Sequence, residues 1–153
     1  REHNNKQAGA DHQLEGGRQV LEDYVHGGLS VKIDSDLDGL VDSWEKKYFT
    51  EKTIACPSAQ CANGINSIED AYIIGLDPTD ASARFDVQAK PVPEGMEVQW
   101  NCEPGRLYTV LFSANLVDGF TPIATDIEYP TNSYLNHTQD LSGFYRVEVK
   151  LKP

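Results

Sequence analysis

Residues Asp34 to Glu45 read DSDLDGLVDSWE, and no other stretch limits the local fold so tightly. Asp34, Asp36, Asp38, Gly39, Asp42 and Glu45 occupy positions 1, 3, 5, 6, 9 and 12 of an EF-hand-type calcium loop. The spacing has a mechanical reason. Alternate residues of a tight loop aim their carboxylates at one centre, and Gly39 permits a turn that a Cβ resists. The Leu40 carbonyl supplies a backbone oxygen, and Glu45 closes the shell with two oxygens at once. Five carboxylates within twelve residues, with no Lys or Arg among them, repel one another unless a hard cation lies between them. The alternative is a solvated acidic turn before a helix. The filled glycine and terminal glutamate positions favour Ca2+, with Asp34, Asp36, Asp38, Leu40, Asp42 and Glu45 as its ligands.

Charge narrows the partners. The chain of 153 residues carries a net charge of −11, which disfavours nucleic acid or an anionic membrane as the partner of a basic face. Solubility alone also accounts for such a charge. No apolar run reaches the length of a membrane span, so no membrane insertion is expected. The opening REHNNKQAG is polar and shows no leader pattern, so an exported protein would be met here as a mature, processed or excised form. Calcium loops of low affinity work where calcium is plentiful, which points to a secreted or cell-surface protein.

The three cysteines are Cys56, Cys61 and Cys102. Cys56 and Cys61 are close enough to close a small loop, and a disulfide is expected there in an exported protein. Zinc is the alternative, but His3, His12, His26 and His137 stand at no ligand spacing to these thiols. Cys102 falls in an apolar strand pattern and reads as a small buried residue.

Residues 1–32 form an N-terminal arm with a short helix, drawn from Val20, Leu21, Tyr24 and Val25 at helical spacing. Leu29 to Ile33 alternates apolar and polar residues as a short strand does. Residues 33–82 form the calcium-loop module. Its first helix runs from Asp42 to Phe49, with Trp44, Tyr48 and Phe49 on one face. A second loop follows, with Asn63, Gly64, Ser67 and Asp70 at positions 5, 6, 9 and 12. Its positions 1 and 3 hold Ala59 and Cys61, which offer no carboxylate, so no strong metal site is expected. A helix from Ser67 to Ile74 ends at Gly75, and Asp77-Pro78-Thr79-Asp80 stops and turns the chain.

Residues 83–153 change to strand patterns. Val87 opens one strand. Met96, Val98, Trp100 and Cys102 alternate in a second. Tyr108, Val110 and Phe112 form one face of a third, Phe120 to Ile127 supplies a fourth, and Tyr145, Val147, Val149 and Leu151 line the last. Turn signals separate them at Pro93-Glu94-Gly95, Glu103-Pro104-Gly105, Asp118-Gly119 and Tyr129-Pro130. The fold class expected is α+β, a short helical calcium-loop module followed by a small antiparallel β-sandwich.

The acidic DxDxDGxxDxWE loop and its aromatic pair resemble thrombospondin type 3-like calcium repeats. NGINSIEDAYIIGLDPTDASARF is similar to the second repeat of that arrangement, which ends in a GTDPTD signature. GRLYTVLFSANLVDGF and the closing SGFYRVEVKL resemble a small C-terminal β-domain of exported proteins of planctomycete- and verrucomicrobia-type bacteria. The likeness covers roughly residues 33–153. It implies a non-catalytic surface or secreted module with calcium on Asp34, Asp36, Asp38, Asp42 and Glu45. Ala59 and Cys61 depart from the aspartates usual in the second repeat.

No nucleophile elbow, phosphate loop, HExxH or Rossmann glycine pattern is present, so no enzyme is expected. Asn136-His137-Thr138 formally matches a glycosylation sequon, but a plain surface loop is the preferred reading. One reading is then an extracellular structural or interaction protein that associates with itself or another protein by strand addition, Leu29–Ile33 being the donor candidate. The other is a calcium-stabilised carbohydrate-binding module, which needs exposed rings among Trp100, Tyr108, Tyr134 and Tyr145.

Overall fold

The computed structural model describes residues 32–51, 55–137 and 142–153. The expected helix at residues 13–26 and most of the Leu29–Ile33 run lie outside the described residues. The chain divides between Ile54 and Ala55 into two compact units.

In the first unit the acidic loop leads into helix α1, Asp42–Tyr48. Seven residues are too few to hold a helix in isolation. Asp42 and Glu45 in the first turn and Lys46 and Lys47 in the last match the helix dipole. Trp44 stands 5.1 Å from the Tyr48 ring and 6.0 Å from the Phe49 ring, and all three side chains are half-buried. The expected aromatic face is there. The fully enclosed residues are others: Leu40 and Glu45 are 0% exposed and Asp42 is 3% exposed.

The second unit opens with helix α2, Ile68–Ile74. Ser67 and Asp70 close a reciprocal capping box at its start, and Gly75 ends it at φ +93°. A Cβ on Gly75 would come within 2.8 Å of the Glu103 side chain, so glycine is needed for both conformation and close approach. Arg106 ties the helix end to the strands, donating from Nη2 to the Tyr72 carbonyl (2.8 Å) and from Nε to the Ile73 carbonyl (3.1 Å). Through these bonds residues 55–82 belong to the same unit as the strands.

The strands form two antiparallel sheets of three. The first holds β1 (Val87–Val92), β2 (Gly95–Trp100) and β5 (Ser133–Asn136) in the order β1-β2-β5. The second holds β3 (Arg106–Ser113), β4 (Thr121–Glu128) and β6 (Phe144–Leu151) in the order β4-β3-β6. One buried cluster draws Val98 and Trp100 from the first sheet and Tyr108, Val110 and Val147 from the second. Tyr108 stacks on Phe85 at 6.4 Å and its hydroxyl accepts the Glu103 N–H at 2.8 Å, so its one polar atom is satisfied. Burial, opposed in part by that bond, pushes the Tyr108 phenol up from its usual value.

Two details depart from the strand pattern. Strand β5 gives no alternating signal: Tyr134 and Leu135 are adjacent apolar residues between Ser133 and Asn136. Yet its pairing with β2 makes β2 the central strand of its sheet. On β3, Tyr108, Val110 and Leu111 are buried and Phe112 only partly so. Between the pairs Tyr108–Ile127 and Leu111–Pro122, three steps along β3 face five along β4. The extra β4 residues, with Asp126 at φ +54°, bulge that edge and break the ladder opposite the β3 face that was expected to alternate cleanly.

Among the described residues no helix is long and apolar enough to cross a membrane.

Candidate metal centre

The loop assembles itself around Asp34. Its Oδ1 accepts the Leu37 N–H at 2.7 Å and its Oδ2 accepts the Gly39 N–H at 2.9 Å. Asp38 Oδ1 accepts the Leu40 N–H at 2.9 Å. These bonds wind the backbone tightly enough to need positive φ twice, at Leu37 (+61°) and Gly39 (+97°). Gly39 takes that conformation freely, and Leu37 takes it at a cost of about 1–2 kcal/mol. The winding brings one carboxylate oxygen each from Asp34, Asp36 and Asp38 within 4.8 Å of one another. Three like charges at that separation repel, and a divalent cation among them reverses the sign.

Asp42 lies outside this cluster. Its Oδ1 accepts the Ser35 N–H at 2.8 Å and its Oδ2 accepts the Ser35 hydroxyl at 2.7 Å. The side chain therefore clasps the ninth position of the loop to the second. Position 9 of such loops often reaches its ion through water, and this placement suits that role. Leu40 is enclosed, which anchors the turn beneath the acidic group. Glu45 also lies outside the cluster, and it is the group for which solvation matters most. A carboxylate with no exposed surface is tolerated only beside positive charge or hydrogen-bond donors. Carboxylate oxygens such as those of Asp34, Asp36 and Asp38 could hold a hard divalent cation in preference to a softer metal.

The second loop keeps the turn and loses the acid. Gly64 has φ +68°, as the sixth position requires. Asn63 Oδ1 accepts the N–H groups of Ile65 (2.9 Å) and Asn66 (3.1 Å), and its Nδ2 donates to Asn66 Oδ1 and to the Ala83 carbonyl. Asp70 is taken by the helix cap, accepting the Ser67 N–H at 2.9 Å. The Ser-x-x-Asp spacing from Ser67 to Asp70 carries that cap in the sequence, but Asp42 and Glu45 have the same spacing, and it is Ala59 and Cys61 at positions 1 and 3 that set the second loop apart. Downstream, Asp77 Oδ1 accepts the Thr79 N–H and hydroxyl, and Asp80 Oδ1 accepts those of Ser82. The bonds from Ser82 hold the Asp80 carboxyl below its usual range.

The Cys56–Cys61 bridge expected from the sequence is not formed, and no disulfide joins any of the three cysteines. Cys61 turns inward and donates its Sγ–H to the Ser67 carbonyl at 3.1 Å, while Cys56 sits at the surface beside Ser58. Burial, and then the Asp70 charge, push the Cys61 thiol up, so it behaves as a small buried hydrophobe.

The rings considered for a glycan are largely committed elsewhere. Trp100 is 3% exposed and Tyr108 is fully buried. Tyr134 and Tyr145 are half-buried, the first donating to the Ile123 carbonyl and the second accepting from Asn136. A cleft of about 280 Å³ beside β1 is lined by Asp86, Gln88, Gln99, Trp100, Asn101 and Asn132. It lies just below the usual range of ligand pockets, roughly 300–1,000 Å³.

The chain matches no protein-family model, no curated protein and no solved structure.

Proposed function

We propose that this is a non-catalytic, extracellular calcium-binding protein of structural or interaction type, in which a single Ca2+ stiffens the first unit. The convergence of Asp34, Asp36 and Asp38 within 4.8 Å carries this reading. The left-handed Gly39 and the enclosed Glu45 support it. In this reading Asp34, Asp36 and Asp38 ligate directly, Leu40 lends its carbonyl, Asp42 acts through water and Glu45 closes the shell. Bound Ca2+ neutralises the mutual repulsion of these groups; the chain's own residues supply the turn, the clasp and the low-dielectric floor.

The wider reading is that the loop is a thrombospondin type 3-like repeat and that the two sheets pack as a β-sandwich. The shared cluster of Val98, Trp100, Tyr108, Val110 and Val147 supports the sandwich. The protein then acts at the cell surface or beyond it by associating with protein, through strand addition at open sheet edges, as a surface or fibre subunit. The burial of Trp100 and Tyr108 takes from the carbohydrate-binding alternative the rings it most needs.

The test is a melt with and without chelator, followed by the fluorescence of Trp44 in the first unit and Trp100 in the second. Ca2+ at one hundred times its dissociation constant, binding only the folded state, adds about 2.7 kcal/mol. The chelated protein is expected to melt about 5–10 °C lower. Superimposable melts with and without chelator would remove calcium from the function.

A further inference from the structure

Four strands end the two sheets, and three of them are unsuited to pairing with another chain. Strand β4 is bulged and carries Pro122 and the left-handed Asp126. Strand β5 is four residues long. Strand β6 has α2 packed against it. Strand β1 differs: Val87, Gln88, Ala89, Lys90 and Pro91 are all exposed, on both faces of the strand.

The direction of its free backbone groups follows from its neighbours. The Trp100 N–H donates to the Asn132 carbonyl, so the even-numbered residues of β2 bond toward β5 and the odd ones toward β1. Opposite Gln99, Glu97 and Gly95 stand Gln88, Lys90 and Val92, whose N–H and C=O groups are therefore turned inward to β2. Val87, Ala89 and Pro91 turn theirs outward. Pro91, with no N–H to give, occupies one of these outward positions, as proline on an edge strand should. The same three side chains share a face with Trp100, Val98 and Met96, their cross-strand partners. Those partners are buried and the β1 row is not.

We infer that β1 is the self-association edge and that its occupant is β1 of a second copy, antiparallel about a two-fold axis at Ala89. The inference rests on the self-association reading above and names the surface it uses. Three features make the strand self-complementary. Centred on Ala89, each Ala89 exchanges its N–H and C=O with its counterpart, and each Val87 N–H meets the partner copy's Pro91 carbonyl, so the missing proline donor falls at the ends of the ladder. Val87, Ala89 and Pro91 continue as one apolar row across the junction. Lys90 faces Gln88 of the other copy, not its own counterpart, and is already paired with Glu97 at 2.9 Å. Any register that set Lys90 against Lys90 would bring like charges together.

The test uses the full chain in sedimentation equilibrium over a range of concentrations with saturating calcium. Wild type is expected to be a reversible dimer, or a larger assembly built on one. Ala89→Pro removes the two central donors without touching the β2 ladder and is expected to weaken association at least tenfold. Ala89→Lys sets two like charges across the axis and should do the same. Ala89→Cys should cross-link copies through residue 89 under a mild oxidant, because hydrogen-bonded antiparallel partners stand about 5.5 Å apart at Cα. The native cysteines set the background, measured on wild type. If wild type associates, Ala89→Pro and Ala89→Lys associate as tightly as it does and Ala89→Cys cross-links no more than the background, the edge is wrong while self-association stands. If wild type stays monomeric throughout, both fall, and the calcium-dependent melt is unaffected by either result.

Discussion

The two loops of this chain share a frame and solve its electrostatics in opposite ways. Both turn at a left-handed glycine in the sixth position, Gly39 and Gly64, and both run into a seven-residue helix. In the first, positions 1, 3 and 5 are aspartates whose oxygens converge. In the second those positions are Ala59, Cys61 and Asn63, and the loop closes on its own hydrogen bonds. The twelfth residue shows the contrast best. Glu45 is driven fully inside, whereas Asp70 stays at the surface as a helix cap. The seventh residue follows: Leu40 is enclosed and Ile65 is 66% exposed. The loop whose carboxylates converge encloses its seventh and twelfth residues; the loop that closes on amides leaves both at the surface.

The largest expected effect therefore belongs to Glu45. Glu45→Gln keeps the shape and removes the charge that the proposed site needs to close its shell, and it should abolish most of the calcium-dependent shift in melting temperature. Asp70→Asn, the equivalent change in the second loop, should leave that shift intact. Paired melts with calcium and with chelator decide it. A variant at Glu45 that still gains full stability from calcium would mean the two loops do not differ in the way described.

Next in size is the cap. Ser67→Ala removes the hydroxyl that accepts the Asp70 N–H at 3.0 Å. It should cost about 1 kcal/mol, the usual value of an N-cap. The loss should be the same with calcium or chelator, because the second loop stands on hydrogen bonds that an ion does not supply. A loss that appeared only in chelator would tie the cap to the metal and blur the distinction between the loops.

The two loops also differ in how far the sequence discloses them. The spacing of Asp34, Asp36, Asp38, Gly39, Asp42 and Glu45 is local, and the turn it demands is present, because a backbone bend and a period of alternate residues are short-range properties. Helix α2 was legible nearly to the residue for the same reason: Ser67 and Gly75 are its own start and stop signals. Strands β2, β3 and β6 follow from alternation, while β1 and β4 are marked only by Val87 and by the run Phe120 to Ile127 between turn signals. Strand β5 does not, since its place is fixed by pairing with β2 across some 35 residues, and Ser133-Tyr134-Leu135-Asn136 carries no period of its own. The missing Cys56–Cys61 bridge has a similar origin. Sequence proximity says two thiols can meet, but the Ser67 carbonyl that draws Cys61 inward is a tertiary feature. The clasp of Asp42 onto Ser35 was equally hidden, because the metal-loop pattern assigns position 9 to the ion and says nothing of position 2.

The smallest effect separates the loops by backbone strain. Leu37 sits at φ +61° with 85% of its surface exposed, so its side chain contributes little packing while its backbone pays for the turn. The second loop has Ala62 at the matching position with no positive φ, so no equivalent cost is present there. Leu37→Gly relieves the left-handed penalty and raises the entropy of the unfolded chain, two terms of opposite sign that leave about 0.5 kcal/mol of net stabilisation. The gain should be visible as a melting temperature raised by about 1–2 °C. It should be at least as large in chelator as in calcium, since the strain belongs to the protein's own turn and is held there by the Asp34 carboxylate whether or not an ion is bound. If Leu37→Gly instead destabilised the chelated protein, the left-handed turn would have to form only with the ion, and the first loop would be metal-folded and not preorganised.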